Sequence, residues 1–173
     1  MSQKALFLDR DGVINIEKNY IYKIKDFEFI EGIFELCLYF QKLGFIIIVV
    51  TNQSGIARGM YSQEDFLTLT SWMKDKFKEQ GIKISEVYFC PHHPDISGEC
   101  SCRKPLPGML IEAEETFNLD LENSLLVGDS ERDIQAAKAA GIKKTYLYSQ
   151  NLPDSSATKV VSSLNEIIKA YHD

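Results

Sequence analysis

The chain has 173 residues, 45% of them apolar and 25% charged, the proportions of a globular protein long enough for one substantial core. Its net charge of −6 disfavours nucleic acid as the main partner, because phosphate backbones are bound through clustered Lys and Arg. The longest apolar run, residues 45–50, is far shorter than a bilayer span, and Met1-Ser2-Gln3-Lys4 runs straight into a strand pattern, so a cytoplasmic, monomeric protein without membrane contact is expected, folded as a single domain over 1–173.

The apolar run Ala5-Leu6-Phe7-Leu8 opens the chain as a strand. A helix is predicted over 33–43, where Ile33, Leu36 and Phe40 share one face with Cys37, and Gly44 closes it. Cys37 on that apolar face is read as core. A strand follows over 45–50, then a helix over 62–77 opened by the capping pair Ser62 and Asp65, and a strand over 87–89. Helix 109–116 comes after Pro107-Gly108, strand 124–127 leads into helix 131–140 with Gly141 at its end, and strand 144–148 follows. Residues 150–156 read as a loop and 164–171 as a closing helix. The strands are continuous apolar runs rather than alternating ones, which predicts burial on both faces. Strand and helix alternate throughout, giving an α/β fold: a three-layer sandwich around a central parallel sheet.

The polar residues gather at the ends of these strands. Asp9-Arg10-Asp11-Gly12 sets two carboxylates two residues apart where the first strand runs out, and Gly12 allows a turn that brings both toward one point. Phosphoryl transfer needs such a pair, one carboxylate as nucleophile and one to move a proton, with a divalent cation to offset their charge. Thr51 follows the second long strand, and its hydroxyl with the polar run Asn52-Gln53-Ser54-Gly55 suits phosphate oxygens, although the same run also suits a helix cap or turn. Asp129 follows Val127-Gly128 and is the natural further oxygen ligand for Mg²⁺, while Asp133, one helical turn on, is read as a helix cap or a support for the ligands. Arg103-Lys104 supplies two cations for the transferring group.

Three of the four cysteines cluster. Cys90-Pro91-His92 and Cys100-Ser101-Cys102 form two close ligand pairs with seven residues between, enough to wrap one tetrahedral Zn²⁺ with three sulfurs and one nitrogen. A closed shell of that kind leaves no place for water, so the zinc is structural, pinning the loop that presents Arg103 and Lys104. His93 is the rival ligand to His92, and buried free thiols are the alternative to a metal site.

The segments 9–13, 49–53, 102–105 and 127–133 together resemble the four signature motifs of the haloacid dehalogenase (HAD) superfamily of phosphatases, in order, over about residues 5–148. The resemblance implies a HAD-like fold in which Asp9 attacks phosphorus to form an aspartyl-phosphate. Asp11 would act as general acid and then base, and Thr51 and Lys104 would hold phosphoryl oxygens with Arg103 assisting. Mg²⁺ would sit on Asp9, the Asp11 carbonyl and Asp129. No room exists for a large cap domain: residues 13–31 hold only a flap, and residues 52–102 are taken up by a helix, a strand and the zinc loop. The paired-cysteine loop before Arg103-Lys104-Pro105 matches the branch of heptose-bisphosphate and histidinol-phosphate phosphatases, and also favours His92 as the zinc ligand. Thr51 to Gly59, Thr-Asn-Gln-Ser-Gly-Ile-Ala-Arg-Gly, and Pro107-Gly108-Met109 lie closer to the heptose side. That implies a Mg²⁺-dependent enzyme taking the 7-phosphate from a heptose 1,7-bisphosphate in nucleotide-activated heptose biosynthesis, on the way to lipopolysaccharide or another glycan. Asn52, Gln53, Ser54 and Arg58 are expected to touch this sugar phosphate, with Arg58 as clamp for the second phosphate. Histidinol phosphate or another small phosphomonoester is the alternative substrate. A non-catalytic, zinc-stapled binding module would require loss of Asp9, Asp11, Lys104 or Asp129, and all four are present.

Overall fold

The computed structural model describes residues 2–172. Six parallel strands form one sheet: β1 (Ala5–Leu8), β2 (Ile46–Asn52), β3 (Ile84–Cys90), β4 (Leu125–Gly128), β5 (Lys144–Tyr148) and β6 (Lys159–Val161), in the order β3-β2-β1-β4-β5-β6. The helices are α1 (Ile33–Lys42), α2 (Gln63–Glu79), the one-turn α3 (Pro94–Ser97), α4 (Gly108–Phe117), α5 (Glu131–Ala140) and α6 (Asn165–His172).

Alternation along the strands divides the core in two. Leu6, Leu8, Ile47, Val49, Leu125 and Val127 face one way, onto Ile33, Leu36, Cys37 and Phe40 of α1, Leu69, Met73 and Phe77 of α2 and Ile167 of α6. Ala5, Phe7, Ile48, Val50, Leu126 and Leu147 face the other, onto Met109, Leu110 and Ala113 of α4 and Ile134, Ala136 and Ala137 of α5. This double coverage is why the strands read as unbroken apolar runs, and it gives the expected three layers of a HAD-like fold. Cys37 is fully buried, and burial pushes its thiol well above the usual range.

Three details depart from the sequence expectation. β2 extends through Thr51 and Asn52, because both pair with β3. β3 itself starts at Ile84 and is an edge strand, so it is only partly buried rather than covered on both faces. β6 lies within a stretch where no strand is predicted; it has three residues, too few for a periodicity to register, and pairs only with β5. The Ser62 cap is as expected: Ser62 Oγ accepts from the Asp65 amide and Asp65 Oδ2 from the Ser62 amide, each at 3.0 Å. Among the described residues no helix is long and apolar enough to cross a membrane.

The chain passes from β1 to β2 on one side and returns to β4 on the other. Ligands of open parallel sheets bind at such a switch point, beyond the carboxyl ends of the strands. Asp9, Thr51 and Asp129 follow or close these three neighbouring strands.

Candidate active site

At the end of β1 the Asp9 amide still donates to Val127 O of β4 at 3.1 Å, and the chain then turns away, with Arg10 O accepting the amides of Val13, Ile14 and Asn15. Gly12 adopts φ +89°, and a Cβ there would overlap the Asp129 carboxylate, so both conformation and close approach require glycine. The turn brings Asp9 and Asp11 onto one cleft of about 170 Å³ with Lys104, Asp129 and Asp133.

Charge in this cleft is tightly balanced. Lys104 Nζ, almost fully buried, lies 3.1 Å from Asp9 Oδ1 and 2.6 Å from Asp133 Oδ1 and donates to Val50 O at 2.9 Å. Burial disfavours its charge, but Asp133 and Asp9 outweigh that and raise its pKa. Asp133 shows the reverse balance: burial raises its carboxyl, and Lys104 with the amides of Ser130 and Asp129 brings it below the usual range. Asp133 therefore both caps α5 and anchors Lys104, the supporting part expected of it. Asp9 is pushed well above the usual carboxylate range by burial and then by the neighbouring Asp133, and Asp129 is pushed up to about 6 by burial and the same neighbour. Carboxylate oxygens of Asp9, Asp129 and Asp133 lie within 4.8 Å of one another. Against these carboxylates stands one buried ammonium, and hard oxygens short of positive charge fit Mg²⁺.

Asp11 is held from both sides. Its Oδ1 accepts from Arg10 Nη2 at 2.9 Å and Asn15 Nδ2 at 3.0 Å, and its Oδ2 from Gln53 Nε2 at 3.0 Å. Gln53 also donates to Thr51 Oγ1 at 2.9 Å and accepts from the Tyr61 hydroxyl. The Gln53 side chain is thus bonded within the protein to Asp11, Thr51 and Tyr61, and the residue also lines the space beside the cleft. Asn52 lines the cleft, and its side chain pairs with the Lys104 main chain through Oδ1 at 3.0 Å and Nδ2 at 3.2 Å. Both side chains bond neighbouring residues of the cleft, contacts that sequence could not tell from substrate binding, since an amide serves either.

A second space of about 260 Å³ adjoins the first, sharing Asp11, Glu17, Asn52 and Arg132 with it. Ser54 and Arg103 line it, as expected, and the flap adds Asn19 and Tyr20. Burial and the Asp11 charge raise the Glu17 carboxyl, a sign of how near the flap comes to the acid. Arg132 lies inside the motif segment 127–133, where the aspartates carry the sequence reading, and Tyr61 lies outside all four motif segments. The structure does not bring Arg58 to this cleft. It is exposed, and its guanidinium meets His93 Nε2 at 3.0 Å, while Arg103 and Arg132 are the arginines that line the second space.

The cysteine loop forms a compact cluster. Cys90 Sγ is 3.6 Å from Cys100 Sγ and 3.5 Å from His92 Nδ1; Cys102 Sγ is 3.3 Å from His92 Nδ1 and 3.6 Å from Cys100 Sγ. Ligands at zinc distances on a tetrahedron stand about 3.5 to 3.8 Å apart. The cluster is therefore compatible with zinc. Cys100 is brought down to about 7, the amide of Arg103 among the donors outweighing burial. His93 lies outside the cluster: its Nδ1 accepts the Asp95 amide and caps α3. Arg103 Nη1 donates to His92 O at 3.2 Å, tying the cluster to the cleft.

A relative from Campylobacter jejuni, a D-glycero-alpha-D-manno-heptose-1,7-bisphosphate 7-phosphatase, is 46% identical over 173 residues, covering 100% of this chain and 98% of that relative. The chain belongs to the heptose-bisphosphate phosphatase family. It is a phosphatase of the HAD-like class, and the HAD-hydrolase-like family model matches its residues 101–166. A D-glycero-beta-D-manno-heptose-1,7-bisphosphate 7-phosphatase of Yersinia pestis is 44% identical, covering 98% of the phosphatase and 95% of that relative. Among solved structures, the D,D-heptose 1,7-bisphosphate phosphatase of B. bronchiseptica, complexed with magnesium and phosphate, superposes on the phosphatase with a TM-score of 0.86 at 28% identity, covering 98% of each chain.

Proposed function

We propose that this phosphatase removes the 7-phosphate of D-glycero-D-manno-heptose 1,7-bisphosphate. Asp9 attacks phosphorus to form an aspartyl-phosphate while the oxygen of the sugar C7 leaves with a proton from Asp11. Asp11 then takes a proton from the water that attacks the same phosphorus, releasing inorganic phosphate and restoring Asp9. Thr51 and Lys104 hold phosphoryl oxygens. Asp9, the Asp11 main-chain carbonyl and Asp129 would hold Mg²⁺, which when bound supplies the positive charge the carboxylates and phosphate lack. Cys90, His92, Cys100 and Cys102 would hold a structural Zn²⁺ that keeps Arg103 and Lys104 in register.

The observation that carries the substrate assignment is the whole-length likeness to heptose 1,7-bisphosphate 7-phosphatases of both anomeric kinds. It is supported by the two contiguous spaces, one acidic and lysine-bearing for the reacting phosphate, the other flanked by Arg103 and Arg132 for the far end of the sugar. On this reading the chain acts as one capless domain and a cytoplasmic monomer, with Asn19 and Tyr20 of the flap beside the substrate space. A phosphate-release panel of both heptose 1,7-bisphosphate anomers, fructose 1,6-bisphosphate and histidinol phosphate tests this. A heptose anomer is expected to have the highest kcat/KM, and histidinol phosphate as best substrate would overturn the assignment.

A further inference from the structure

Tyr61 belongs to none of the four motifs, yet it controls which face of the Gln53 amide meets Asp11. The two ends of that amide are opposite in character, NH₂ a donor and oxygen an acceptor. The Tyr61 hydroxyl donates to Gln53 Oε1, which leaves Nε2 facing Asp11 Oδ2 at 3.0 Å and Thr51 Oγ1 at 2.9 Å. With the amide reversed, a carbonyl oxygen would stand against a carboxylate. Burial pushes the Tyr61 phenol up to about 12, so it keeps its proton and remains a donor at neutral pH.

Tyr61 is itself well fixed. It is buried, and its ring stacks on Tyr22 with centroids 5.5 Å apart and planes 11° from parallel. Gly55 passes under the ring where any Cβ would overlap it, which ties Tyr61 to the loop carrying Gln53. On the other side of Asp11, Arg10 and Asn15 bind Oδ1, so Gln53 is the protein donor that sets Oδ2.

From this chain of contacts we infer that Tyr61 is a positioning residue for proton transfer at Asp11, acting through the orientation of the Gln53 amide. The inference rests on the proposed role of Asp11 as general acid. It has a consequence that a packing role lacks. Proton donation matters when the leaving group is an alkoxide and matters little when it is a stabilised phenolate. Gln53 also bonds Thr51, so a role confined to packing or to holding phosphate would affect both kinds of substrate alike.

The experiment measures kcat and KM of wild type, Tyr61→Phe, Gln53→Leu and the double variant. The substrates are D-glycero-D-manno-heptose 1,7-bisphosphate and fructose 1,6-bisphosphate as alkyl phosphates and p-nitrophenyl phosphate as the aryl phosphate. Tyr61→Phe keeps the ring, so its melting temperature should stay close to wild type. Its kcat/KM on the alkyl phosphates is expected to fall on the order of tenfold, through kcat, and on the aryl phosphate by less than about threefold. In the Gln53→Leu background the same change should add almost nothing, because the path from Tyr61 to Asp11 is already cut. Equal losses on alkyl and aryl substrates, a loss carried by KM, or additive effects in the double variant would each overturn the inference. Failure of wild type to turn over the heptose while hydrolysing fructose 1,6-bisphosphate would count against the substrate assignment alone, and the split between fructose and aryl phosphates would still decide the role of Tyr61.

Discussion

Asp9 illustrates a conflict between stability and chemistry within one side chain. Its carboxyl is raised by burial and by Asp133 even with Lys104 alongside, so its charge costs the metal-free fold free energy. Asp9→Asn should therefore raise the melting temperature of metal-free protein while lowering kcat by about a thousandfold or more, since an amide is no nucleophile; calorimetry and phosphate release check the two halves. Lys104→Met should do the reverse to stability. It strands buried carboxylates and should cost about 3 to 5 kcal/mol, read by denaturant unfolding. Asp129 gives a pH dependence of definite sign. Burial and Asp133 push it up to about 6 from an ordinary 3.8, so between those values the folded state keeps a proton the unfolded chain has lost, and stability falls as pH rises through that window. A divalent cation binds the ionised form, so the rise in melting temperature on adding Mg²⁺ should be larger at pH 7 than at pH 5. An equal rise at both would contradict this ionisation.

Among elements, the loop from the end of β3 to Lys104 has little regular structure beyond the one-turn α3, and the cysteine cluster gathers its two ends. Cys100→Ser should release zinc, measurable by elemental analysis, and lower activity by displacing Arg103 and Lys104, leaving the sheet intact by circular dichroism. The main strands, the helices and the Ser62 cap were legible because apolar runs and capping pairs are local signals. The motif aspartates were legible because strand ends in a parallel sheet converge on one edge. β6 and the edge position of β3 were not, since short strands and neighbour order depend on what else pairs. The protein partners of Asn52, Gln53 and Arg58 were not legible for a related reason: a polar residue in a loop announces its hydrogen-bonding capacity but not its partner, and in the fold those partners are Lys104, Asp11 with Tyr61, and His93.

At the scale of the molecule, one acidic cleft at the switch point and one adjoining space flanked by Arg103 and Arg132 match a substrate with a reacting phosphate at one end and a retained anion at the other. Arg103→Ala should raise KM for the heptose bisphosphate about tenfold or more and for a monophosphate far less, because Arg103 lines the adjoining space and not the cleft of the reacting phosphate. The central claim is which phosphate leaves. Following D-glycero-D-manno-heptose 1,7-bisphosphate with the enzyme and Mg²⁺ by phosphorus NMR should show the C7 phosphate signal replaced by inorganic phosphate while the anomeric C1 phosphate persists. Loss of the C1 signal first, or no phosphate released, would contradict it.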